Sequence, residues 1–169
     1  MNNEQKINAW FAKFEHRFNT AVPTIVAETA VEFYKERFRT EEWDGVPWQP
    51  LNPKYASKKT HGKGRILTKN SILMNSIHPS VVNANRVTIS AGGSKVPYAR
   101  IHNEGLKVSG IRNVKGYTNT NFMGKGKPVQ IRAHKRSVNY QMPRRQFMGH
   151  SPYLNRILMD RLTKAFNSK

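Results

Sequence analysis

Six histidines, His16, His61, His78, His102, His134 and His150, are the chain's first candidates for metal ligation. No two lie within five residues of each other, so no i, i+4 pair and no HExxH helix can form. His102 and Glu104 are near neighbours, but on a helix they point apart. Each histidine therefore reads as a packing or hydrogen-bonding residue. Nuclease or phosphoryl-transfer chemistry needs carboxylates to hold magnesium. Beyond Asp44 the chain has only Glu104 and Asp160, so such a site would combine one of these with Glu41, Glu42 or Asp44. Gly124-Lys125-Gly126-Lys127 is followed by Pro128, and it lacks the upstream glycine of a phosphate loop. No GxSxG elbow is present. The chain has no cysteine, which removes disulfides, thiolate metal sites, iron–sulfur clusters and cysteine nucleophiles together. The expectation is a non-enzyme, with no catalytic residue, no metal and no cofactor.

Charge is the stronger signal. The 169 residues carry 29 Lys and Arg against 10 Asp and Glu, a formal net charge of +19. The imbalance is confined to one part. Residues 1–50 have a net charge of −2, and residues 51–169 a net charge of +21. Such a surface concentrates anions and repels its own copies. It points to a polyanionic partner, nucleic acid or an acidic protein surface, against the plainer reading of a solvated basic surface. Bases alternate with glycines and small polar residues at 58–65 and 107–136. The candidate partner contacts are Lys58, Lys59, Lys63, Arg65, Lys125, Lys127, Arg132, Lys135 and Arg136. No RRM aromatic motif, zinc-finger spacing or clear helix-turn-helix accompanies them.

The elements that would position these groups follow from periodicity. Residues 1–40 form a helical N-terminal segment. Ile7, Trp10, Phe11, Phe14 and Phe18 recur at helical spacing and define one apolar face. Pro23 is expected to end that helix and open a second, running to about Phe38. Residues 43–53 hold two tryptophans and three prolines, an irregular segment packed on the domain. Residues 54–66 are expected to form a basic loop, and Thr68 to cap a short helix over 69–77. Val81 and Val82, then Val87, Ile89 and Ala91, flank a turn at 83–85 and predict a strand pair. Pro97 to Glu104 predict a helical turn or two stopped by Gly105. Residues 106–127, poor in apolar side chains, are expected to be a long exposed loop that orders against a neighbour. Val129 and Ile131 predict a strand, with Val138 and Tyr140 pairing to it. Ser151 and Pro152 open a C-terminal helix with Leu154, Ile157, Leu158, Leu162, Ala165 and Phe166 on its apolar face. The fold expected is α+β: one domain over 1–169, a small mainly antiparallel sheet, N-terminal helices and a C-terminal helix packed on it, and a long basic loop. No apolar run approaches the ~20 residues of a membrane span, and the start has no signal-peptide pattern.

Four short motifs occur in order: Gly45-Val46-Pro47-Trp48-Gln49-Pro50-Leu51; Ile66-Leu67 with Leu73, Ser76 and Ile77; Tyr98-Ala99-Arg100-Ile101-His102-Asn103-Glu104-Gly105; and Met142-Pro143-Arg144-Arg145-Gln146-Phe147-Met148-Gly149. This order, over residues 33–166, resembles the phage virion morphogenesis, or tail-completion, family of tailed bacteriophages. The resemblance implies a non-catalytic structural virion protein of the head–tail junction, assembled as a homo-oligomeric ring, a hexamer. It implies synthesis in the host bacterial cytoplasm and residence in the neck or tail of the virion. Its partners would be connector or portal-side proteins and tail proteins, with a contact to packaged DNA open and no membrane. The motif residues Trp48, Leu51, Tyr98, His102, Gly105, Arg145, Phe147 and Gly149 would be architectural. Phe147 and Met148 are expected to be buried, and Arg145 to reach a carboxylate or carbonyl. The rival readings are a basic nucleic-acid-binding module and, disfavoured by the shortage of carboxylates, an enzyme acting on nucleic acid.

Overall fold

In the computed structural model, which describes residues 2–52, 65–121, 126 and 128–167, Asn2 and Gln5 start the first helix with a reciprocal cap. The Asn2 side chain accepts the Gln5 N–H at 2.8 Å, and Gln5 Oε1 accepts the Asn2 N–H at 2.9 Å. Helix α1 then runs unbroken from Asn3–Thr40, about 57 Å at 1.5 Å per residue. The break expected at Pro23 does not occur. A proline inside a helix costs about 3 kcal/mol, and here it is offset by burial. Pro23 is itself buried, and Ala27, Ala30, Phe33, Tyr34 and Phe38 after it supply much of the core. The Thr20 hydroxyl donates to the His16 carbonyl and the Thr24 hydroxyl to the Thr20 carbonyl, bracketing the proline with side-chain hydrogen bonds.

Glu41, in the left-handed region at φ 55°, ends α1. Strands β1 (Glu42–Trp43) and β2 (Val46–Pro47) follow as a miniature hairpin. Its turn is Asp44-Gly45, both at positive φ, the twist-matched geometry of two-residue hairpins. Helix α2 (Ile72–Asn75) is a single turn, shorter than the helix expected over 69–77. Its N-cap is Ser71 in the left-handed region rather than Thr68, and Ser71 makes no side-chain cap. Strands β3 (His78–Asn83) and β4 (Arg86–Ser90) form the expected antiparallel pair, with a register shift between Pro79 and Val81. Helix α3 (Ala99–Glu104) stops at Gly105 with φ 68°.

The expected loop over 106–127 contains strands instead. Strand β5 (Lys107–Val114) pairs antiparallel along its whole length with β8 (His134–Gln141). Beyond them β6 (Tyr117–Asn119) pairs with β7 (Val129–Ile131). Val138 and Tyr140 thus pair with Gly110 and Val108, not with the strand at 129–131. No described residue from 107 to 141 is buried. The segment is a two-stranded ribbon standing clear of the core, about 27 Å long in β5 and β8 alone. The chain closes with α4 (Pro152–Asn167), opened by Ser151 Oγ accepting the Leu154 N–H at 3.2 Å.

The fold is α+β, and the strands among the described residues form four two-stranded antiparallel pairs rather than one sheet. The core gathers Phe33 and Phe38 of α1, Trp48, Leu73, Ile77, Val96, Ala99, Phe147 and Leu154. Helix α4 lies antiparallel along α1: Arg161 meets Thr29 and Glu32, while Phe166 meets Phe14 and Phe18.

Candidate functional site

Three of the four motifs meet at one junction. Arg145 Nε donates to the Gln49 carbonyl at 3.1 Å, and its Nη2 donates to the Pro50 carbonyl at 3.4 Å. Trp48 Nε1 returns a hydrogen bond to the Gln146 carbonyl at 2.8 Å. The segments 48–50 and 145–146, nearly a hundred residues apart, are thereby laced from both sides. Helix α3 is tied to the same place. The Arg145 N–H donates to the His102 carbonyl at 2.8 Å, and Asn103 Oδ1 accepts the N–H groups of both Phe147 and Met148 at 3.0 Å.

The buried ring of Phe147, 1% exposed, lies 5.1 Å from that of Phe38, which in turn meets Trp48 edge-on at 5.5 Å. Met148 is half-buried. The Gly149 carbonyl accepts the Tyr34 hydroxyl at 3.0 Å, and the Ser151 hydroxyl bonds Asp44 Oδ1 in the β1–β2 turn. Leu51 is half-buried against the core, and Tyr98 is exposed with its ring edge-on to His102 at 5.8 Å. Gly105 is required twice. Its φ is positive, and a Cβ there would lie 2.8–2.9 Å from Cβ, Cα and N of Arg144.

Electrostatics at the junction are those of burial. Arg145 is 5% exposed, and burial lowers its pKa while the Glu41 carboxylate opposes that shift. The His102 ring nitrogen Nδ1 is buried without a hydrogen-bond partner. Burial first, and the Arg145 guanidinium second, push His102 below the ordinary histidine value. A neutral imidazole beside a buried arginine, whose Nε and Nη2 already donate to carbonyls, holds segments together. Beside the junction a cleft of about 750 Å³ is lined by Gln49–Asn52, Tyr140–Pro143 and Arg145, at the foot of the ribbon. Among the described residues no group of three His, Asp or Glu side chains is placed to share a metal ion.

Of the nine candidate partner contacts, four lie among the described residues. Arg65 is exposed just before Ile66, and Arg132, Lys135 and Arg136 are exposed on the ribbon. Lys58, Lys59, Lys63, Lys125 and Lys127 lie outside the described residues. Asn103, which carries two of the junction's hydrogen bonds, was not singled out by sequence; its place between His102 and Gly105 was the available signal.

The model of the phage virion morphogenesis family matches residues 3–167, which is nearly the whole chain. The chain belongs to this family. No curated protein and no solved structure matches it. Membership makes the protein a component of phage virion assembly, and its motif residues sit in the laced junction above. No helix among the described residues is long and apolar enough to cross a membrane.

Two surfaces of this virion protein are left largely uncovered by the other described residues. One is the first half of α1. Ile7, Trp10, Phe11, Phe14 and Phe18 are 45–60% exposed. Phe14 and Phe18 touch Phe166, and Arg17 lies over the same ring, but Ile7, Trp10 and Phe11 project past this contact. The other surface is the β5–β8 ribbon.

Proposed function

We propose that the protein is a non-catalytic structural component of the phage head–tail junction, acting in tail completion as a homo-oligomeric neck ring of six copies. The observation that carries this reading is the exposed aromatic stripe of α1. Five large apolar side chains on one helix face are too many to leave in water on a soluble monomer. Their occupant is a second copy of the chain. Copies carrying +19 repel one another, so they can meet only where local charge is nearly balanced and apolar area is large. The first half of α1, with Glu4 and Glu15 against Lys6, Lys13 and Arg17, satisfies both conditions.

The test is a phage lacking this gene, complemented in trans. Full heads and finished tails should accumulate unjoined, the intact gene should restore joined virions, and Trp10→Ala with Phe11→Ala should not. Normal joining without the gene would refute a junction role. Microscopy of the joined particle then counts the copies in the ring.

A further inference from the structure

Arg112 and Arg136 face each other across the middle of the ribbon as register partners. Residues so paired leave the same face with Cβ atoms about 5 Å apart, and like charges in that position destabilise a strand pair. Both are exposed, and neither is in an ion pair among the described residues. No neutralising group is close in sequence either, since residues 107–141 hold eight bases and no Asp or Glu. Isolated two-stranded ribbons are marginal already. An uncompensated repulsion in the middle of one is accounted for by an anion that arrives from outside.

The distribution of charge indicates which anion. Strand alternation puts Arg112 and Arg136 on one face, and Lys107 and Lys135 on the other. The neutral hydrogen-bonding side chains Ser109 and Asn139 share the lysine face. A flat acidic protein surface could neutralise one face only. A groove of duplex DNA has phosphates on both walls, and the major groove, about 12 Å wide, admits a two-stranded ribbon. We propose that the β5/β8 ribbon is a duplex-DNA-binding arm that inserts between two phosphate backbones. Arg112 and Arg136 would meet one wall, and Lys107 and Lys135 the other. Contacts of this kind are independent of base sequence and depend steeply on salt.

The inference stands apart from ring assembly and is tested on the free full-length chain. A labelled mixed-sequence 20-base-pair duplex is titrated with protein across a salt series, with anisotropy as the readout. For the wild type, the logarithm of affinity should fall linearly with the logarithm of salt. Arg112→Gln with Arg136→Gln should cost about tenfold or more at low salt, and should flatten the slope by about 1.8, the value for two lost phosphate contacts. Arg100→Gln with Lys164→Gln removes equal charge from α3 and α4 and should leave the slope nearly unchanged. Arg112→Glu guards against a ribbon that simply unfolds. It creates an opposite-charge cross-strand pair with Arg136, so the ribbon should be at least as stable while DNA affinity falls.

Three outcomes would overturn the proposal. The ribbon variants could bind like the wild type. The Arg100/Lys164 control could lose as much, which would make net charge the cause. The wild type could show no salt-sensitive duplex binding, and a salt-sensitive attachment to phage particles would then assign the ribbon to an acidic protein. None of these outcomes bears on whether heads and tails join.

Discussion

Asn103 Oδ1 accepts the Phe147 backbone N–H at 3.0 Å, and the same oxygen accepts the Met148 N–H at 3.0 Å. One side chain thus fixes the segment that carries the most buried aromatic ring after Phe38. Asn103→Ala leaves both donors without an acceptor in a largely buried place, at about 1–3 kcal/mol for each one left unsatisfied. At about 2–4 °C per kcal/mol for a domain of this size, the melting temperature should fall by roughly 4–24 °C. Asn103→Asp keeps the acceptor and should fall by much less. Equal losses in the two variants would show that the oxygen is not what matters.

Gly105 ends α3 in the left-handed region and packs against the Arg144 backbone. Gly105→Val adds a branched side chain where even a bare Cβ overlaps backbone atoms at 2.9 Å. The left-handed conformation alone costs about 1–2 kcal/mol, and displacing the Arg144 backbone adds to that. Lys107→Ala, two residues on and exposed, should stay within about 0.5 kcal/mol of the wild type. Denaturant melts of the two variants side by side check the ordering.

His102 links stability to pH. Its folded pKa lies below the unfolded value of 6.5 because burial, and then Arg145, disfavour the charged ring. The unfolded chain therefore binds the proton first. The contribution of neutral His102 is fully present above pH 6.5 and is lost as the pH falls from there toward the folded value. Thermal melts between pH 5 and 8 should show the wild type losing stability toward the acid end. His102→Gln, which cannot titrate, should show a shallower decline. Parallel profiles would remove His102 as the source.

Local patterns predicted local structure well. Ser151-Pro152 marked the start of α4, and the alternation of Val87, Ile89 and Ala91 marked β4. Pro23 misled because the local rule for proline weighs one lost bond, whereas its burial and that of the α1 residues after it offset the cost from elsewhere in the fold. The Asp44-Gly45 turn was readable, but Pro47, Pro50 and Pro53 suggested only irregular chain. The ribbon was illegible for a different reason. Lys107, Ser109 and Asn113 pair with Gln141, Asn139 and Lys135, so neither strand carries a buried face to give a strong period-two signal. The junction motifs were visible one by one, but the hydrogen bonds joining Trp48 to Gln146 and Arg145 to Gln49 span 98 and 96 residues. Periodicity likewise identified the face from Ile7 to Phe18 without telling what covers it.

The α1 stripe and the net charge together dictate how self-association should respond to salt. Apolar contact between stripes favours association, and repulsion between +19 chains opposes it. Salt screens the second, shortening the screening length from about 30 Å at 0.01 M to about 8 Å at 0.15 M, and leaves apolar contact intact. The free protein should therefore be monomeric at low salt and associate as salt rises, the reverse of its expected behaviour with DNA. Trp10→Ala with Phe11→Ala should abolish the association at every salt concentration. It should change the melting temperature of the monomer by less than about 2 °C, because side chains more than half exposed contribute little to the fold. Sedimentation velocity across a salt series, wild type beside the double variant, reads both effects. If the variant associates like the wild type, the stripe is not the contact between copies. If the wild type dissociates as salt rises, the contact is ionic, and the Ile7–Phe18 stripe must give way to another surface, such as the second half of α1, where exposed Glu28 can meet the basic part of a neighbour.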